Sequence, residues 1–209
     1  MLVTIERIWI HIKAMKGLFF IPLAVYYLLI PSAAYGLQKS PVYAAAGMAG
    51  ALQEYVYTYA PAVSTFWLFL CLSEYIHGQG GELIWNPSAM TGLVIGIYLF
   101  QAVCLLPAAV WAGQDDGIMD LILQMFVIIF FMHGFSYFLC MVTRNVAAAV
   151  FVVLVYSVLS MAHIGTHSLW FQYSVLEQTD WISYGCAYLL AGAVFIPAAH
   201  IVAGKRAAG

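Results

Sequence analysis

The densest set of chemically capable side chains lies in the segment Ser73 to Pro87, SEYIHGQGGELIWNP. It holds the carboxylates Glu74 and Glu82, glycines at 78, 80 and 81, and an apolar-aromatic end made by Leu83, Ile84 and Trp85. A short bent helix with glycine hinges, presenting Trp85 and Leu83 to a groove, is a good shape for gripping another protein. A flexible polar hairpin accounts for the same composition. Elsewhere the polar groups stand singly in apolar surroundings. His133 occupies the middle of FFMHGF; an ionisable group there marks a functional site or, as a neutral imidazole, bonds a neighbouring helix. Gln101 and Gln124 are read first as interhelical hydrogen-bonding groups, and with His133 they could line a translocation path. His163 and His167, four apart, could share a zinc ion, but no third ligand is near in sequence. Asp115, Asp116 and Asp120 could draw a cation, and Asp-Asp-Gly is also ordinary turn chemistry. Serine catalysis would need His133 to meet Ser136 or Ser157, which no recognisable motif arranges.

The elements that carry these groups follow from composition. Of 209 residues, 65% are hydrophobic and 8% charged, with a mean hydropathy of +0.94. Too few polar side chains exist to cover a water-facing surface, so lipid is the expected surround. A net charge of -2, from 7 basic and 9 acidic residues, excludes the cationic footprint of a nucleic-acid binder. The cysteines Cys71, Cys104, Cys140 and Cys186 sit in apolar runs without a CxxC pair and read as small buried hydrophobes. No cleavable signal is evident.

A charge at the bilayer centre costs roughly 2.5 to 3.5 kcal/mol, so the uncharged gaps locate the spans. Six gaps are close to or longer than the about 20 residues that a crossing helix needs. They predict spans over Gly17 to Gly36, Tyr55 to Ser73, Met90 to Ala112, Ile118 to Met141, Asn145 to His163 and Trp181 to Val202. Runs such as VAAAVFVVLVYSVLSM lack the alternation of a membrane barrel strand. Arg7, Lys13, Lys16, Arg144, Lys205 and Arg206 fall on the side of the termini and Lys39 alone on the other. This bias predicts a multi-pass protein of the bacterial inner or plasma membrane with both termini cytoplasmic. Before the first span, Ile5, Ile8, Trp9, Ile12 and Met15 recur at helical spacing, which predicts an amphipathic interfacial helix over residues 1–16, with Gly17 at the bend. Pro22, Pro31, Pro107 and Pro197 loosen helices. Residues 1–209 thus form one transmembrane domain, an interfacial elbow followed by six helices over 17–203. The chain has no P-loop or soluble nucleotide-binding domain of its own.

The order of features resembles the membrane subunits of type-2 ABC transporters, over nearly the whole chain. The resemblance rests on the basic elbow helix, the six spans, the acidic-glycine segment Glu74 with GQGGEL between spans two and three, the run SYFLCMVTRNVAAAV and the basic tail GKRAAG. Two positions depart from the family: Tyr75 stands where an Arg usually follows the Glu, and no basic residue follows Pro87 within Ser88 to Thr91. The resemblance implies an all-α exporter-like permease that pairs with a second permease copy or paralogue. Two separate ATPase subunits would dock beneath it, carrying ATP and Mg, with no cofactor on this chain. It further implies that the segment about 74–87 couples ATPase closure to the spans, through Glu74, His77, Gly78, Gly81, Glu82, Leu83 and Trp85. The cargo implied is a small molecule, peptide or lipid-like amphiphile. A gradient-driven carrier or channel and an intramembrane enzyme are the alternatives.

Overall fold

A peptide group surrounded by hydrocarbon finds no water to bond, so a chain this apolar must pair its backbone within each segment. A computed structural model describes residue 13 and residues 16–39, 62–76, 87–112, 118–161 and 178–207, and among these there is no strand. Six helical runs appear in the described residues: α1 (residues 16–38), α2 (Ala62–Ile76), α3 (Pro87–Ala112), α4 (Ile118–Thr143), α5 (Val146–Met161) and α6 (Gln178–Ala207). Each overlaps one expected span. Three contain stretches long and apolar enough to cross a membrane, Ala89–Pro107, Met125–Thr143 and Gly185–Gly204; the apolar parts of α1, α2 and α5 are shorter. The expected elbow, apart from Lys13 and Lys16, lies outside the described residues, as do residues 40–61, the segment 77–86 and the loop holding His163 and His167.

α1 is not a uniform helix. It runs as a 3-10 turn over Lys16–Phe19, α-helix over Phe20–Ala24, a π-helical turn over Val25–Leu29 and α-helix over Ile30–Gln38. The π turn ends two residues before Pro31. In a regular helix Pro31 would have no N–H for the Tyr27 carbonyl and its ring would press on that oxygen; the wider π turn relieves both. Gly17, expected at a bend, lies inside the 3-10 turn. Pro107 and Pro197, in contrast, sit inside α3 and α6.

α4 is the axis of the molecule: 67% of its apolar window is buried, against 33% for α3 and 28% for α6. Its closest neighbour is α6, and small residues make that possible. A Cβ on Gly134 would lie 2.5 Å from the Gly192 carbonyl oxygen, and one on Gly192 would lie 3.0 Å from Phe131 Cα. At Gly134 backbone meets backbone, and at Gly192 the Phe130 ring closes in as well, at 3.0 Å. Around this crossing Phe131, Phe135, Tyr156, Tyr188 and Phe195 interlock, with ring centroids 5.0 to 6.0 Å apart.

Contacts fix the helix directions. Phe131 meets Tyr188, Phe138 meets Phe195 and Tyr137 meets His200, so α4 and α6 run parallel. Tyr98 meets Phe126, Phe130 and His133, while Thr91 and Tyr137 share His200, so α3 runs antiparallel to α4. Tyr26 bonds Gln101 and Tyr27 bonds the Cys104 carbonyl, so α1 runs with α3. α5 turns back from α4 through Arg144 and Asn145 alone. Arg144 adopts a left-handed φ of 51°, and Asn145 caps α5 by accepting the Ala148 N–H on Oδ1 at 3.2 Å.

Candidate functional site

Three polar positions were expected to matter inside the bundle, and the helices settle two of them. Gln101 on α3 is fully buried and donates through Nε2 to the Tyr26 hydroxyl on α1 at 2.8 Å. It is an interhelical hydrogen-bonding group, with Oε1 left without a partner. His133 on α4 is also fully buried; its Nδ1–H donates to the Ile129 carbonyl one turn back at 2.9 Å. A carbonyl can only accept, so the ring is the Nδ1–H tautomer and Nε2 is an unpartnered acceptor. His133 therefore bonds its own helix, not a neighbouring one, and meets the Tyr98 ring of α3 at a centroid distance of 6.0 Å. Gln124 falls in α4, with its side chain outside the described residues. The serine-hydrolase arrangement does not form: His133 Nε2, Ser136 Oγ and Ser157 Oγ each lack a hydrogen-bond partner. Among the described residues no cluster of three potential metal ligands occurs. Of the cysteines, Cys71 and Cys140 are buried as expected and Cys104 half-buried; Cys186 is exposed on α6, because it projects from the side of that helix away from α4.

A polar link that the sequence reading passed over ties three helices together. His200 on α6 places Nε2 2.8 Å from Thr91 Oγ1 on α3 and Nδ1 3.1 Å from the Tyr137 hydroxyl on α4. Both partners are hydroxyls, able to donate or accept, so either imidazole tautomer keeps both bonds. The rule that singled out His133, an ionisable group within an uncharged gap, applies equally to His200.

None of these groups lines an apolar cavity that the described residues form. That cavity, of about 470 Å³, lies between α1, α2 and α5 and is lined by Ile21, Val25, Phe66, Phe69, Val150 and Leu154 among others. Thr65 and Ser73, both on α2, are its only polar lining residues, and the Thr65 hydroxyl is already donated to the Ala62 carbonyl at 2.7 Å. Its size is within the roughly 300–1,000 Å³ range of ligand pockets. Phe19, Trp67 and Phe100 close the space behind it by packing α1, α2 and α3 together; Trp67 donates its indole N–H to the Phe19 carbonyl at 3.0 Å.

Of the segment read as a docking element, Glu74 is described and His77, Gly78, Gly81, Glu82, Leu83 and Trp85 lie outside the described residues. α2 continues to Ile76, past its expected end at Ser73, so Glu74 is an exposed residue of the last described helical turn, followed by a buried Tyr75. The helix directions bring the start of α1 with Lys16, the α4–α5 turn with Arg144, and the end of α6 with Lys205 and Arg206 to one end of the bundle. Lys39 follows α1 at the other end. Comparison of the chain with protein-family models, with curated proteins and with solved structures finds no match.

Proposed function

We propose that this all-helical chain is the membrane-spanning permease subunit of an ABC-type exporter, moving a hydrophobic or amphipathic substrate by alternating access driven by separate ATPase subunits. The observation that carries the reading is the arrangement of the ends. α1 and α3 run one way and α4 and α6 the other, as consecutive passes of one chain require, and Lys16, Arg144, Lys205 and Arg206 gather at the end where α3 begins, against Lys39 at the other. That asymmetry supports a cytoplasmic assignment for this end and hence for the glycine-hinged segment preceding α3. The apolar cavity supports a greasy cargo, since it offers a substrate contact area and almost nothing to hydrogen-bond. On this reading the bundle has six spans, sits in the cell membrane, and pairs with a second permease copy. Glu74, Glu82 and Trp85 then transmit nucleotide-driven closure to α2 and α3.

The test is co-purification in detergent from the native membrane. A P-loop ATPase should accompany the chain, and the double variant Glu82→Ala/Trp85→Ala should lose that subunit or uncouple its hydrolysis from transport. Transport by the purified polypeptide alone, driven by an ion gradient, would replace this reading with that of a secondary carrier.

A further inference from the structure

We propose that a single water molecule is bound inside the bundle between α3 and α4, donating one hydrogen bond to Gln101 Oε1 and the other to His133 Nε2. Both side chains are fully buried, and neither atom meets a donor among the described residues. Their chemistry admits only a donor. The Gln101 amide spends Nε2 on the Tyr26 hydroxyl of α1 at 2.8 Å, which leaves on its other edge an oxygen that can only accept. The His133 ring spends its one N–H, on Nδ1, on the Ile129 carbonyl at 2.9 Å, so Nε2 presents a lone pair. The buried hydroxyls of Ser136 and Ser157, also unpartnered, make no such demand, because a helical serine can turn to a carbonyl of its own helix.

The helix directions turn the two acceptors toward each other. α3 and α4 are antiparallel, and Tyr98 packs against Phe130 and His133 and reaches the Phe126 carbonyl. Gln101 stands one turn beyond Tyr98, on the stripe of α3 that also carries the buried Val94, Ile97 and Leu105. Helical side chains lean toward the N-terminus, so in this antiparallel pair Gln101 and His133 lean toward each other along the interface. His133 displays that lean, since its ring lies back over the turn that begins at Ile129. Two acceptors cannot bond each other, whereas a water that donates twice joins acceptors about 4.5 to 5 Å apart. Water is the smallest molecule with two donors, and it is what protein interiors place between polar groups left otherwise unsatisfied. An apolar occupant would leave both lone pairs dry, and a cation would add a charge that these neutral groups do not compensate. The site depends on the burial of the two side chains and not on what drives transport.

The experiment is solid-state NMR on the full chain in bilayers of chain-deuterated phosphatidylcholine, with isotope-labelled histidine and methionine. Met132–His133 is the one Met-His pair in the sequence, which assigns the His133 signals. The ring should show a protonated Nδ1 and a bare, hydrogen-bonded Nε2. Magnetisation transferred from water protons should build up at Nε2 several-fold faster than at the His133 backbone nitrogen, which lies within α4 and supplies the baseline. Gln101→Met keeps the length of the side chain and removes its carbonyl, and should return the Nε2 transfer to that baseline. Tyr26→Phe removes the partner of the amide nitrogen, leaves the oxygen in place, and should preserve the transfer. In the unsubstituted chain, a protonated Nε2 or a transfer no faster than the baseline overturns the site, whatever the variants do. Fast transfer that survives Gln101→Met overturns it too, since the water would then be held by His133 without Gln101.

Discussion

At the scale of single residues, stability is concentrated where the backbone leaves no room. Because a methyl on Gly134 would lie 2.5 Å from the Gly192 carbonyl oxygen, Gly134→Ala must push α4 and α6 apart. The expected cost is about 1 to 3 kcal/mol, measured by steric trapping in bicelles. Gly204→Ala, inside α6 with nothing within 4 Å, should leave stability unchanged or raise it by up to about 1 kcal/mol. Equal stability for both variants would mean that the crossing is not as close as described. The α4–α5 turn makes opposite demands on neighbouring positions. Asn145→Ala removes the α5 cap and should cost about 1 kcal/mol. At this left-handed position Arg144→Gly should be more stable than Arg144→Ala by about 1 kcal/mol, since both lack the side chain and only the backbone preference differs; the reverse order would contradict the turn. These sites were only partly legible beforehand: Arg144 and Asn145 stood out as a lone polar pair between two apolar runs, whereas Gly134 beside His133 drew no notice, since one glycine in a span says nothing until its partner on another helix is known.

At the scale of the element, the positions of the helices were legible and their internal form was not. Uncharged length locates α3, α4, α5 and α6 to within a few residues, because the cost of a buried charge is independent of which helix packs against which. The prolines were legible as loosening agents, but only packing decides that Pro31 is accommodated by a π turn while Pro107 and Pro197 stay inside α-helix. The π turn lets two consecutive side chains, Tyr26 and Tyr27, both reach α3, at Gln101 and the Cys104 carbonyl. Pro31→Ala restores an N–H for the Tyr27 carbonyl and favours regular helix, which would rotate one tyrosine away. A double-mutant cycle of Pro31→Ala with Tyr26→Phe should then show coupling of at least about 0.5 kcal/mol, and additivity within about 0.3 kcal/mol would remove this account. The His200 link should be modest by comparison: Tyr137→Phe is expected to cost about 0.6 kcal/mol in the same unfolding assay, the usual size of an interhelical hydrogen bond in a membrane.

At the scale of the whole molecule, orientation is open to direct measurement. In a background without the native cysteines, a cysteine at position 114, between α3 and α4, should react with an impermeant maleimide added outside intact cells. One at position 204, near the end of α6, should react only after lysis. The reverse pattern would invert the bundle and detach the 74–87 segment from any cytoplasmic ATPase. What the amino-acid sequence determined by itself is the all-helical class, the number of apolar runs and the uneven distribution of cations, since each depends on transfer energies summed along the chain. What only the tertiary structure decided is which polar groups face which helix and where empty space remains. It tied His133 to its own backbone and Gln101 to Tyr26, and it joined Thr91, Tyr137 and His200, residues scattered across three helices. It also put the cavity among Ile21, Phe69 and Val150, which are indistinguishable in sequence from any other apolar residue. The physical reason is that burial of hydrocarbon is non-directional and readable from composition, whereas a hydrogen bond or a cavity exists only once two helices have chosen their faces and their register.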